Sequence, residues 1–144
     1  MDVRDAALPD LDPVTLYRIL ALRSEVFVLE QECVYLDLDG RDVEPGARQL
    51  WVERDGAVVA TLRLLTDDER TMRIGRVATA KDARGTGLAA VLMRRALELA
   101  DGREVVLDAQ TYLFDWYTGF GFVRAGDDYV EDGIPHVPMR LERA

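Results

Sequence analysis

The chain has 144 residues, 49% of them hydrophobic and 31% charged, with 27 acidic side chains against 18 basic ones and a formal net charge of -9. A chain of this length buries roughly 70% of its unfolded surface without help from a disulfide or structural metal, and its acidic balance is the wrong sign for neutralising nucleic-acid phosphates. Cys33 is the only cysteine and His136 the only histidine, which excludes an intramolecular disulfide and argues against a cysteine–zinc or histidine-rich metal site.

Lys81 is the sole lysine among the basic residues, a skew towards arginine that a GC-rich genome explains. No apolar run approaches the ~20 residues that span a bilayer, and the first residues lack a basic-then-apolar leader. With no repeat, low-complexity tract or linker, the expectation is one domain over residues 1–144, cytoplasmic, with no nucleic-acid partner, no membrane partner and no metal.

The first predicted helix opens at Asp12-Pro13, an N-cap acceptor followed by proline at the first helical position. Tyr17, Leu20, Ala21, Ser24, Phe27 and Val28 recur at helical spacing and carry it to about residue 29. Residues 30–48 are polar and read as a long structured loop, a feature that is often functional. Residues 49–54 and 57–65 flank Asp55-Gly56 and predict a β-hairpin. A third strand covers about 71–80. Met72 and Ile74 share one face, yet Val77 and Thr79 fall on the other phase, so the alternation slips at Gly75-Arg76 and predicts a bulge.

Next comes Asp82-Ala-Arg84-Gly85-Thr86-Gly87 and a helix with apolar residues at Leu88, Val91, Leu92, Ala96 and Leu99, ended by Asp101-Gly102. Residues 105–107 predict a short buried strand, which makes a βαβ unit. A short helix over 113–118 and two strands, about 122–125 and 136–141, complete a mixed α+β layout.

A glycine turn that opens a helix suits a phosphate: the small residues permit close approach, and free N–H groups with the helix dipole point at the anion. Arg84 adds a charge-assisted donor; a tight turn without a ligand is the plainer alternative. Gly85-x-Gly87-x-x-Ala90 also satisfies a degenerate dinucleotide pattern, with Asp108 about twenty residues on. That reading fails on context, because an antiparallel hairpin precedes the loop and too few residues follow Asp108 to finish a dinucleotide-binding sheet.

Read as Arg84-x-x-Gly87-x-Ala89 after a bulged strand, the loop resembles the [QR]-x-x-G-x-[GA] pyrophosphate loop of the GNAT (Gcn5-related N-acetyltransferase) superfamily. The stretch from residue 105 through Gln110 to Trp116-Tyr117-Thr-Gly-Phe-Gly-Phe122 resembles that family's downstream segment, with Gln110 where asparagine is common. Arg23-Ser-Glu-Val-Phe-Val-Leu-Glu30-Gln31-Glu-Cys33-Val-Tyr35-Leu-Asp37-Leu-Asp39-Gly40 and Tyr129-Val-Glu131-Asp132-Gly133-Ile134-Pro135-His136 are similar to ElaA-type acetyltransferases. The resemblance implies the acyl-CoA N-acyltransferase fold: a central twisted, mostly antiparallel sheet with a bulged strand and flanking helices.

It further implies acetyl-CoA as cosubstrate and an amine acceptor. Val77, Ala78 and Thr79 are then expected to pair with the pantetheine arm. Backbone groups from Arg84 through Gly85, Thr86, Gly87, Leu88 and Ala89 would hold the pyrophosphate, and Gln110 would reach the pantetheine amides. Tyrosine is protonated at neutral pH and can supply the proton that a departing thiolate needs, so Tyr117 is the candidate general acid, with core packing beside Phe120 and Phe122 as the alternative. Glu30 is the candidate base, with a helix-end ion pair to Arg23 as the alternative. His136, of the residue type that titrates near neutrality, is a second base candidate and, with Arg23 and Gln31, an acceptor-binding one.

Asp37, Asp39, Asp42, Glu131 and Asp132 read as solvated turn formers or as an attraction for a cationic amine, and Arg23 and Arg41 as partners for an acceptor carboxylate. A non-catalytic acyl-CoA sensor and, on Arg23-x-x-Val26-Phe27, an acyl-homoserine-lactone-type synthase remain alternatives. Homodimers are common in the superfamily, and no feature of the sequence demonstrates one.

Overall fold

The computed structural model describes residues 2–143. Eight strands form one mixed sheet in the order β1-β2-β3-β4-β5-β8-β6, with β7 paired to β8. They are β1 Arg4–Ala7, β2 Arg48–Arg54, β3 Ala57–Thr66, β4 Thr71–Thr79, β5 Glu104–Gln110, β6 Val123–Arg124, β7 Tyr129–Glu131 and β8 Ile134–Leu141. Every pairing is antiparallel except β4 with β5, so the layout is α+β with a mostly antiparallel sheet, as expected. Asp55 and Gly56 turn the β2–β3 hairpin with φ of 53° and 77°, the left-handed pair that matches strand twist.

Helix α2, Leu88–Ala100, lays Leu88, Leu92, Met93, Ala96 and Ala100 against Leu62, Leu64, Met72, Ile74, Val105 and Leu107 of the sheet. The short α3, Phe114–Thr118, adds Tyr117 to the same core. A second, smaller core packs α1, Pro13–Arg23, with the turn that extends it, against Trp51, Val58 and Ala78. Among the described residues no helix is long and apolar enough to cross a membrane.

Three local expectations need correction. The buried stripe of the first helix is Ile19, Leu22, Arg23, Val26 and Phe27, not the face through Tyr17, Leu20, Ala21 and Ser24, and Tyr17 is exposed. A buried, ion-paired arginine hides the true stripe from an apolar count. Past Arg23 the helix widens into a π-type turn, Ser24–Glu30, which still ends where the sequence places the loop. Two strands were not anticipated: edge strand β1, and β7, which pairs only over Tyr129–Glu131.

The bulge lies where the phase slips. Thr61 faces Ala78 and Arg63 faces Gly75, so Leu62 of β3 opposes both Arg76 and Val77 of β4. Arg76, rather than the glycine, adopts the left-handed conformation, φ 51°. On the far side β4 pairs with β5 for only three residues, Thr71–Arg73 against Glu104–Val106, although both strands continue. The sheet therefore opens into a cleft between the C-terminal ends of β4 and β5.

Candidate active site

Two walls of backbone and one glycine turn frame this cleft. Ala78 is paired with Thr61 of β3, and Ala80 donates its N–H to Val59 O at 2.8 Å. Strand alternation then turns the N–H and C=O of Val77 and Thr79 towards the cleft and those of Ala78 away from it. Of the three β4 residues expected to meet a pantetheine chain, Val77 and Thr79 thus turn their backbone towards the cleft, the Thr79 carbonyl already accepting from Arg84 Nε at 3.1 Å, and Ala78 does not.

At the cleft mouth, Gly85 and Gly87 take φ of 76° and 81°, and a Cβ on either would meet nothing within 4 Å. Gly87 caps α2 with no side-chain acceptor for its first turn. The first intrahelical bond runs from Val91 N–H to Gly87 O, which leaves the N–H groups of Leu88, Ala89 and Ala90 without a helical acceptor. Thr86 pins the turn by donating its hydroxyl to Ala83 O at 2.6 Å. Unsatisfied donors, open space and the positive end of a thirteen-residue helix fit the pyrophosphate of CoA.

Arg84 does not extend into that space. Its Nη2 and Nη1 lie 2.8 Å from Glu30 Oε1 and Oε2, and its Nε donates to Thr79 O at 3.1 Å. Glu30 is therefore an ion-pair partner of Arg84 rather than of Arg23, and the hydrogen bond from Arg84 lowers its pKa below the usual glutamate value. That environment favours a carboxylate that keeps its charge over one that accepts a proton.

The polar floor of the cleft follows from strand register. Asp108 and Gln110 of β5 face Pro138 and His136 of β8, and His136 in turn faces Tyr129 of β7. Gln110 Nε2 donates to Gln31 Oε1 at 3.5 Å, so Gln31, Gln110 and His136 are brought together. His136 Nδ1 lies 2.8 Å from Ile134 O. A carbonyl only accepts, so Nδ1 is the donor in this contact, which leaves Nε2 as the nitrogen available to another partner. The ring stacks on Tyr129, with centroids 5.5 Å apart and planes 16° apart. Desolvation, then the neighbouring Asp108 charge, push the Tyr129 phenol above its usual pKa.

Tyr117 sits on α3, 6% exposed, edge-on to Trp116 at 4.9 Å and to Phe122 at 6.2 Å. Phe120 packs on Trp116 instead. Burial raises the Tyr117 pKa, and the phenol keeps its proton across the neutral range.

Arg23 does not line the cleft. Its side chain is 1% exposed and holds Asp37 through Nε at 3.0 Å and Asp42 through Nη1 at 2.8 Å and Nη2 at 3.2 Å. Arg63 grips Asp39 with two bonds of 2.8 and 2.7 Å and reaches Asp42 at 3.3 Å. Arg76 pairs with Asp37 Oδ1 at 2.8 Å, donates to Asp37 O at 3.1 Å, and lies 5.5 Å from the centre of the Tyr35 ring. The three aspartates are thus neither solvated turn formers nor free to attract an amine; they fasten residues 37–42 to α1, β3 and the bulge. Arg41 is spent on Glu44 and Asp67. Glu131 and Asp132 are exposed at the β7–β8 turn. Sequence reasoning passed over Arg63 and Arg76 as partners, although the i, i+2 spacing of Asp37 and Asp39 and the phase slip at Arg76 were visible.

A family model described as "Acetyltransferase (GNAT) domain" matches residues 23–143, from the buried arginine to the last strand. The chain belongs to the GNAT acetyltransferase family. Within it, the chain is 48% identical over 134 residues to a UPF0039 protein of Mycobacterium tuberculosis, covering 90% of this chain and 86% of that one. The crystal structure of an acyl-CoA N-acyltransferase from Pseudomonas aeruginosa superposes with a TM-score of 0.92 at 41% identity over 100% of both chains. That of Escherichia coli ElaA does so at 0.92 and 35% identity, covering 98% of this chain and 99% of that one. This GNAT protein therefore has the acyl-CoA N-acyltransferase fold and resembles ElaA.

Proposed function

We propose that the protein is an N-acetyltransferase that moves the acetyl group of acetyl-CoA to a primary amine by direct attack. The observation that carries this reading is the cleft itself: backbone groups of Val77 and Thr79 turned into it lead to an uncapped helix N-terminus behind two left-handed glycines. Acetyl-CoA supplies a thioester whose carbonyl carbon a neutral amine attacks, the C–N bond forming as the C–S bond breaks. The N–H groups from Gly85 to Ala89 hold the pyrophosphate, and Gln110 bonds the amides of the arm.

Tyr117 offers its O–H to the sulfur as negative charge develops there. The amine must shed one proton on its way to the amide, and His136 Nε2 is the acceptor that the geometry favours. Glu30, expected to be that base, is held as a carboxylate by Arg84. Gln31, next to Gln110, remains a contact for the acceptor, whereas Arg23 is buried in its carboxylate network.

The test is release of free thiol from acetyl-CoA across a panel of primary amines, with product masses. Turnover on at least one amine supports the enzyme, whereas binding of CoA with no turnover on any would identify a sensor. Turnover in Tyr117→Phe should fall with cofactor affinity kept, and undiminished turnover would remove its role. Turnover should fall in His136→Asn and persist in Glu30→Gln; the reverse pattern would restore Glu30 as the base, and undiminished turnover in both would leave neither as the base.

A further inference from the structure

Arg84 stands directly before the glycine turn, yet its guanidinium faces the other way. Both Nη atoms form a fork with the two Glu30 oxygens at 2.8 Å, and Nε takes the Thr79 carbonyl at 3.1 Å. Glu30 ends the π-type turn beyond α1, and Thr79 ends β4. The side chain therefore bridges the mouth of the cleft and occupies one of the two β4 residues whose backbone faces it. Arg84 and Glu30 are 41% and 37% exposed, so the pair is open to exchange with another anion. An exposed ion pair of this kind is weak in water, whereas a pyrophosphate at the α2 N-terminus would also gain the helix donors.

We propose that Glu30 is a positioning residue that competes with the pyrophosphate of CoA for Arg84. The Glu30–Arg84 pair closes the mouth of the cleft, and cofactor binding transfers Arg84 from the carboxylate to the phosphate, clearing the Thr79 carbonyl in the same movement. Glu30 is thereby left as an unpaired carboxylate beside Gln31 on the acceptor side, so the acceptor meets a different charge before and after the cofactor enters. This inference rests on the glycine turn being the CoA pyrophosphate site.

The experiment is calorimetric titration of CoA into the wild type, Glu30→Gln, Arg84→Ala and the double variant, with circular dichroism confirming that each is folded. Glu30→Gln should bind CoA about two- to five-fold more tightly, the ratio that corresponds to an exposed pair of about 0.5–1 kcal/mol. Arg84→Ala should bind more weakly, and adding Glu30→Gln to it should change nothing further. Unchanged or weaker binding in Glu30→Gln overturns the competition. Equal tightening in the presence and absence of Arg84 also overturns it, since Glu30 would then act as a distant repulsive charge. If the wild type binds no CoA, the functional reading falls together with this one, an outcome distinct from a wild type that binds and a Glu30 variant that does not differ.

Discussion

Asp42 accepts from three side chains at once: Arg23 and Gln49 at 2.8 Å and Arg63 at 3.3 Å. Replacing it with alanine leaves two buried guanidinium groups with only part of their compensation. Breaking a buried pair costs about 3–5 kcal/mol. Because Arg23 keeps Asp37 and Arg63 keeps Asp39, the lower end applies, and thermal unfolding should show a fall of roughly 10 °C. A melting temperature unchanged in Asp42→Ala would mean that the network is ornamental. Arg63 holds the Asp39 carboxyl well below the usual aspartate range; at Asp42, burial works against ionisation, but the Arg23 hydrogen bond and charge outweigh it. A carboxylate whose pKa is lower folded than unfolded stabilises in full above the unfolded value, about 3.9. That contribution is lost as pH falls through the folded value. Melting temperature should thus hold level from pH 7 to about 5 and decline below about 4, with a shallower decline in Asp42→Asn. At this scale the sequence showed Tyr117 and the glycines plainly, because a motif and a backbone requirement name their residues. It did not show Arg23 as a core residue, since a buried charge is recognisable only once its partners, fourteen and nineteen positions away, are beside it.

Helix α2 is the element on which the site depends, and its legibility came from local chemistry. Left-handed glycine before it, Leu92 and Ala96 at helical spacing, and Asp101 with Gly102 after it are all short-range signals. Gly87→Ala should cost about 1 kcal/mol through backbone strain alone, because the space around its Cβ is open. Gly87→Asp adds a carboxylate at the proposed phosphate site and should abolish CoA binding while the protein stays folded; unchanged calorimetric affinity would detach the turn from the cofactor. The β4 bulge was equally legible, as a slip of phase, but not the residue that carries it. Arg76 tolerates a left-handed backbone, worth of order 1–3 kcal/mol of strain, because Asp37 and Tyr35 hold its side chain. The N-cap and proline place helix α1, but apolar spacing does not give its rotation, because the buried stripe includes Arg23. Edge strand β1 and short β7 leave no mark in the sequence, because four- and three-residue strands carry too little alternation.

At the scale of the molecule, the two faces of the sheet are held differently: α2 by apolar burial, the 37–42 segment by ion pairs. Low pH should therefore loosen residues 30–46 before the α2 face. Limited proteolysis with an acid protease at about pH 2, where those carboxylates begin to lose their charge, should cut within that stretch first, and a first cut elsewhere would contradict the division. Acetyl-CoA and CoA should each raise the melting temperature clearly at saturating concentration, by the roughly 2.7 kcal/mol expected at a hundred times the dissociation constant. NAD⁺ should not. A shift with NAD⁺ alone would favour the dinucleotide reading of the same glycines. The three rungs that join β4 to β5 have one more consequence. A sheet ordinarily keeps its unmatched edges at its margins, but this one carries an internal seam along which β4 and β5 run on past Arg73 and Val106 without pairing. Apolar walls facing each other would collapse together; polar ones held apart by a bulge and a diverging strand do not, because closing would strip them of hydration before they found partners. The opening is thus kept by the same accounting of hydrogen bonds that closes the sheet everywhere else, and a chain of amides laid into it would finish a strand that folding leaves undone.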